Sequence, residues 1–426
     1  MKKDDLSLTY LSLTIQHDMV DRKISEPILM MKICLIIIFS LSIPIAQAQS
    51  LPDVFTFFSG EKVKTKNDWY RKRQPEIIRF FEREVYGKIP SVDSYAFHYQ
   101  ILEEETEILK GKAYRKQVRM FIMNNRKDTI SVDLLVYYPV TAKKVPVPVF
   151  SLLNYGNYTL SEDTLIHLSV SKLYKIEQTR SSYVRRFPIE AIIDSGFGVI
   201  TSCYEDFIPD NDSLFTKTIQ RFYRIPPESS GAISIWAWAY SRMVDYALKQ
   251  NVFDPKKVAI VGHSRTGKAA LWAAAHDHRI KFSFINESGN TGAKLSFHDN
   301  PKSESIAKIN TSFPHWFSMN YKKFNCMDSL RTLPFDQHWL IASIAPRSVY
   351  VADAKQDDWS DPEGEYLSIK EAEKVYQFLG LKSNLPTLMP IVGDAATKGV
   401  CGYHIREGSH DLLLEDWIHF MKFIKQ

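Results

Sequence analysis

Residues Val258 to Ala270 read VAIVGHSRTGKAA, and this stretch constrains the fold more tightly than any other. Val258, Ala259, Ile260 and Val261 are apolar without alternation, the pattern of a parallel strand buried on both faces. Gly262 ends the run and Ser264 follows two residues later. Beyond it, Lys268 to Ala275 (KAALWAAA) consists largely of strong helix formers. A chain that turns sharply from strand into helix holds the turn residue out of the sheet, in a conformation that bulky neighbours would obstruct. Gly262 and Gly267 leave that room. The spacing is G-x-S-x-x-G, because Thr266 stands where the common nucleophile elbow has its second glycine. Taken alone, the pattern fits an inert surface turn equally well. The strand before it and the helix after it favour Ser264 as a nucleophile at a helix N-terminus, where the helix dipole favours a developing negative charge.

The rest of the chain supplies a fold for such an elbow. Leu51 to Lys88 places aromatic and charged residues at helical spacing, with Trp69, Ile77, Ile78 and Phe81 facing the core. Tyr114 to Met123 and Ile130 to Tyr138 alternate, as antiparallel strands do. Strands are then expected at Val145–Leu153, Gly198–Cys203, Val258–Val261, Phe282–Asn286 and Val349–Asp353. Helices are expected at Ala232–Lys249, from about Ser368 to Leu379, and at Asp411–Lys425. Alternation of this kind implies a mostly parallel sheet covered on both faces, with function at the carboxyl ends of its strands. The expected class is α/β: an α/β-hydrolase fold, a three-layer αβα sandwich with antiparallel leading strands.

At the N-terminus, Met30 to Ala48 has a short start bearing Lys32, an apolar run from Ile33 to Ile43, and Ala46-Gln47-Ala48 in small-x-small form. This reads as a signal peptide, too short for a stable membrane span. Residues 1–29 are then an extension or a mis-called start, and 49–426 a single catalytic domain, exported to the periplasm or outside the cell, monomeric, with no membrane attachment after cleavage. Residues 1–48 carry five basic and five acidic side chains, so their removal leaves the net charge of +5 unchanged. No block of Lys and Arg stands out, which argues against nucleic acid. Cys203, Cys326 and Cys401 remain after cleavage, enough for one disulfide of unspecified partners. His276-Asp277-His278 lacks further ligands nearby and reads as a solvated helix end, so neither metal nor other cofactor is expected.

A serine nucleophile needs a base, and the base an orienting acid, in the chain order Ser, acid, His for this fold. His410, in the loop Arg406-Glu407-Gly408-Ser409-His410-Asp411 ahead of the last helix, is the preferred base; His404 is its competitor, and His338 reads as structural. For the acid, Glu287 directly follows one strand, while Asp353, Asp357 and Asp358 follow the next. The residue types alone leave that choice open.

Several runs of the chain resemble the glucuronoyl esterases, carbohydrate esterase family 15, in their bacterial form. Gly262-His263-Ser264-Arg265-Thr266-Gly267-Lys268 resembles the family's G-x-S-R-x-G-K signature. Gly231-Ala232-Ile233, Glu287-Ser288-Gly289, Asp336-Gln337-His338, Ala345-Pro346-Arg347, Trp359-Ser360-Asp361-Pro362 and Gly408-Ser409-His410-Asp411 are similar as well. The resemblance runs from about residue 145 to the C-terminus. It implies a carboxylic ester hydrolase of 4-O-methyl-glucuronoyl methylesterase type, acting on esters of (4-O-methyl-)glucuronic acid in glucuronoxylan, such as lignin-carbohydrate links. It also implies Glu287 as the acid, with Asp353, Asp357 and Asp358 as alternatives, Arg265 as an oxyanion donor, and Lys268 and Trp359 as substrate-binding residues. Relatives, above all fungal ones, carry a cysteine pair beside the serine and histidine; here those positions are His263 and Asp411, so packing must hold the triad. Two rival expectations are an acetyl xylan esterase or other carbohydrate esterase on the same fold, and, from another class, a non-catalytic glycan-binding protein.

Overall fold

Ten strands form one sheet in the order β1-β2-β3-β5-β4-β6-β7-β8-β10-β9. The computed structural model describes residues 51–172, 179–298, 300–326 and 333–426; the expected signal peptide at 30–48 and the preceding extension lie outside them. The leading strands β1 (Tyr95–Ile108), β2 (Ala113–Asn124) and β3 (Thr129–Pro139) are antiparallel, and β3 pairs antiparallel with β5 (Gly198–Cys203). From β5 the sheet is parallel through β4 (Val147–Asn154), β6 (Phe253–His263), β7 (Phe282–Asn286), β8 (Ser348–Ala354) and β10 (Cys401–Arg406). The two-residue β9 (Ala395–Ala396) closes the edge. This is the expected α/β class with antiparallel leading strands.

The unalternating apolar strands now have a physical reason. Val258 and Ile260 enter one hydrophobic cluster, whereas Ala259 and Val261, pointing the other way, enter a second. In β8, Val349 and Val351 divide from Tyr350 and Ala352 in the same way. Successive side chains of a strand face opposite sides, so a strand covered on both must be apolar throughout. Helical turns from Lys66 to Tyr86, which include α1 (Gln74–Phe81), cover the first face with α2 (Ala232–Leu248) and α3 (Arg265–His276). Trp69, Ile77 and Phe81 are buried there as expected, and Ile78 is half-buried. The last helix, α5 (Leu414–Ile424), seals the second face with Trp417, Phe420 and Phe423.

Two departures from the expected elements concern the site's far side. Helix α4 (Pro362–Phe378) begins six residues earlier than expected, because Asp361 caps it by accepting from Gly364 N–H and Pro362 is preset for the first helical position. Strand β10 occupies a stretch whose residue pattern suggests loop. It is buried along its whole length yet carries His404 and Arg406, and polar residues in a doubly covered strand erase the hydropathy signal. Cys203 and Cys401 are buried, the sulfur of Cys203 lying 3.6 Å from the Ser171 hydroxyl, and the side chain of Cys326 lies outside the described residues.

Candidate active site

Ser264 is the N-cap of α3 and holds φ 60° and ψ −128°, a conformation costly for a residue with a Cβ. The turn is kept tight by Thr266, whose hydroxyl accepts from His263 N–H at 3.0 Å and donates to His263 O at 2.9 Å. A Cβ at Gly262 would lie 2.2 Å from the Thr266 carbonyl oxygen, and one at Gly267 would lie 3.0 Å from Ser288 Cβ on the neighbouring strand's exit. Both glycines are thus required by close approach. Ser264 N–H is fixed to Asn286 O at 3.0 Å, so the end of β7 helps set the elbow. The Ser264 hydroxyl forms no hydrogen bond among the described residues and stays partly open to solvent.

His410 sits beyond β10 with 37% of its side chain exposed. Its Nδ1 lies 2.6 Å from Asp357 Oδ2 and 3.1 Å from Glu287 Oε2. With two carboxylates on Nδ1, the proton belongs there, which leaves Nε2 as the free nitrogen. Burial works to lower the imidazole, but the hydrogen bonds and charges of Asp357 and Glu287 raise it to about 9. The ring of His263, adjacent to Ser264, lies 4.5 Å from that of His410.

The two acids stand differently. Glu287 leaves β7 at φ 45° and is fully buried. Its Oε1 accepts from Arg406 at 2.5 Å and its Oε2 from Asp411 N–H at 2.9 Å. Burial pushes the carboxyl up to about 7, against the lowering effect of His410 and Arg406. Asp357 lies in the loop after β8, and despite burial its carboxyl is held below the usual range by the His410 hydrogen bond and charge and by Ser360. Asp358 and Asp353 do not reach His410: Asp358 pairs with Lys302 at 2.9 Å, and Asp353 is buried at the end of β8 without contacting the ring. His404 is a core residue of β10, bonded to Asp416 at 2.9 Å and to Tyr350 at 3.1 Å, and His338 bonds Pro52 O at 3.0 Å.

Arg265 takes the first position of α3, its Nη1 donating to Asp210. Lys268 is buried one turn on, and its ammonium is surrounded by Ser288 O at 2.5 Å, Asn290 O at 2.7 Å and Glu304 Oε2 at 2.7 Å. Glu304 Oε1 accepts the indole N–H of Trp359 at 3.1 Å, while the Trp359 ring is 44% exposed. The family resemblance implies that both residues meet the sugar directly. In this structure the Lys268 ammonium and the Trp359 indole N–H are hydrogen-bonded to protein acceptors, and the Trp359 ring faces outward. Nitrogen and oxygen atoms of His263, Glu287 and His410 lie within 4.8 Å of one another, a set able to hold a metal ion. Those of Glu287 and His410 are already engaged with each other, Asp357, Arg406 and the backbone, as a charge-paired triad would be.

A family model described as glucuronyl esterase of fungi matches residues 175–380. The chain is 37% identical over 392 residues to carbohydrate esterase MZ0003 from an unknown prokaryotic organism, a match spanning 88% of each chain. Its fold matches a glucuronoyl esterase from Solibacter usitatus at TM-score 0.78 and 36% identity, covering 88% of this chain and 97% of that one. A promiscuous CE15 esterase from a marine bacterial metagenome matches at TM-score 0.78 and 35% identity, over 88% and 96%. The chain belongs to carbohydrate esterase family 15, the glucuronoyl esterases. It is a carboxylic ester hydrolase with the α/β-hydrolase fold.

The two positions at which the resemblance implies a cysteine pair are filled by non-covalent contacts. His263 packs on the His410 ring and donates from Nδ1 to Asn286 Oδ1, 2.6 Å away. Asp411 pairs with Arg186 and, at 2.6 Å, with Arg185. Sequence reasoning missed Asp210, Glu304, Arg406 and the aromatic group Phe313 to Trp316. Glu304 and Phe313 to Trp316 lie in the long connection between β7 and β8, where the dense run Phe313-Pro314-His315-Trp316-Phe317 was the available signal.

Proposed function

We propose that this enzyme cleaves esters of (4-O-methyl-)glucuronic acid in glucuronoxylan, including lignin-carbohydrate links, by a serine mechanism. The observation that supports the reading is His410, tied through Nδ1 to two carboxylates and with its ring 4.5 Å from that of His263, the residue before a strained serine at a helix N-terminus, in a chain of this family. Ser264 attacks the ester carbonyl and His410 Nε2 takes its proton, while Glu287 and Asp357 hold the tautomer and balance the imidazolium. The oxyanion is met by the backbone N–H of Arg265 and by its guanidinium, a full charge at a partly buried position. His410 then protonates the departing alcohol, and water releases the uronic acid from the glucuronoyl-enzyme. Trp359 offers its ring to a sugar face, and Lys268, paired with Glu304 beside it, hydrogen-bonds sugar hydroxyls. The segment 30–48 serves as an export signal that brings the enzyme to an extracellular or periplasmic polymer.

The test is hydrolysis of benzyl glucuronate by the wild type and by Ser264→Ala, against acetylated xylan. Turnover of the glucuronate ester that vanishes in the variant, with an unchanged unfolding midpoint, supports the reading; retained turnover overturns it. A broader carbohydrate-ester specificity is the second reading, favoured by the promiscuous relative and by the exposure of His410 and Trp359. Comparable rates on the acetyl substrate would favour it.

A further inference from the structure

Arg265 leaves the first turn of α3 and lies against a wall of rings. Its guanidinium carbon stands 5.0 Å from the ring centre of Trp316, 5.7 Å from Phe313 and 5.9 Å from Tyr155. Phe313 and Trp316 are themselves stacked, 3.8 Å apart and 7° from parallel. Rings attract a guanidinium but set no direction for its fork of N–H groups; a hydrogen-bonded carboxylate does.

Asp210 supplies that direction, and it is itself immobilised. Its Oδ1 accepts from His315 Nε2 at 2.9 Å and Trp316 Nε1 at 2.7 Å, and its Oδ2 from Arg265 Nη1 and the Tyr204 hydroxyl at 3.1 Å. Two donors on each oxygen, from three separate chain segments, leave the carboxylate no freedom to rotate. Burial works to raise it, yet the His315 bond, the Arg265 charge and the Trp316 bond bring it down to about 2, so it is ionised wherever the enzyme works. Among the described residues, the buried Arg265 Nε has no hydrogen-bond partner.

We infer that Asp210 is a positioning residue for the esterase reaction, fixing Arg265 through Nη1 so that the rest of the guanidinium is aimed at the ester oxygen. The inference rests on the oxyanion role proposed for Arg265. Two effects of removing the charge oppose each other. Asp210→Asn leaves the positive charge of Arg265 less compensated, which favours an oxyanion, but frees the guanidinium to move. A displacement of about 1 Å at such a group costs on the order of 10²-fold in rate, so loss of position dominates.

The test is a double-mutant cycle of Asp210→Asn and Arg265→Ala on the glucuronate ester, with unfolding midpoints measured in parallel. Asp210→Asn is expected to lower kcat by roughly 30- to 100-fold with KM within about threefold, and Arg265→Ala by about 10²- to 10³-fold. In the Arg265→Ala background, Asp210→Asn should cost less than about threefold further, because it acts through the arginine. Additive losses, or a kcat that holds or rises in Asp210→Asn, overturn the inference. If Arg265→Ala alone costs nothing, the oxyanion reading of Arg265 fails instead. Should Asp210→Asn not fold, Trp316→Phe decides. It removes one donor to Oδ1 and keeps a ring under Arg265, so a kcat loss present only with Arg265 in place supports the inference and no loss overturns it.

Discussion

Replacing Asp357 by asparagine separates the two carboxylates that share His410. Nδ1 is 2.6 Å from Asp357 and 3.1 Å from Glu287, and together the pair lifts the imidazole from 6.5 to about 9 against the opposing effect of burial. In the proposed mechanism only the neutral imidazole accepts the serine proton, so kcat/KM of the free enzyme climbs as pH rises through that value. Asparagine keeps an oxygen for the hydrogen bond and removes the charge. An opposite charge at this range is worth about 1–3 pH units. His410 is more than a third exposed and water screens the pair, which puts the expected displacement near the lower end. The acidic limb of the profile should therefore move down by about one unit in Asp357→Asn, with the plateau reduced about tenfold or less, since Glu287 still orients the ring. The measurement is kcat/KM on a neutral glucuronate ester as a function of pH, with enzyme stability checked at each pH. A limb that stays in place, or moves to higher pH, refutes the reasoning, and a limb that moves only in Glu287→Gln assigns the charge to the other acid.

The remaining expectations concern stability and the second polar group. Gly262→Ala sets a Cβ 2.2 Å from the Thr266 carbonyl oxygen and should cost about 2–3 kcal/mol by urea unfolding, with activity lost as the elbow shifts. Lys268→Met leaves Glu304 charged and buried without its cation; a loss of about 3–5 kcal/mol is expected, and Lys268→Met/Glu304→Gln should recover part of it. His410 binds its proton more tightly when folded, so its contribution to stability is complete below about pH 6.5 and fades as pH rises through about 9. The unfolding midpoint of the wild type should fall across that window more than that of Asp357→Asn.

What the sequence reveals and what it hides divide along a physical line. The elbow is legible because a doubly buried strand, two required glycines and a helix follow one another within Val258 to Ala275. The sheet is legible wherever its strands are apolar, and for Gly198–Cys203 and Phe282–Asn286 expectation and structure agree to the residue. Cys401–Arg406 is not legible, because it buries an imidazole and a guanidinium that are satisfied only in three dimensions, by Asp416 and Glu287. Asp210 and Glu304 are invisible for the same reason. Their partners Arg265 and Lys268 lie 55 and 36 residues away in the chain, and a lone acidic residue carries no periodicity that announces a buried pair.

The order Ser, acid, His fixes where an acid should lie but offers two strands for it, and the structure brings one acid from each to His410. They are unequal. Glu287 is anchored by Arg406 and the Asp411 N–H, and burial drives its carboxyl toward neutrality near pH 7. Asp357 is nearer, firmly ionised, and bound through a loop. A rigid acid that is costly to charge is suited to fixing the imidazole's direction, and an easily charged one to stabilising the imidazolium once it forms. Loss of Glu287 should then disorder the histidine and leave Arg406 with Asp416 as its one hydrogen-bonded carboxylate among the described residues, lowering both stability and rate, whereas loss of Asp357 should change the pH at which the enzyme works and leave the fold in place. A protein with a single carboxylate on its histidine cannot separate those two functions.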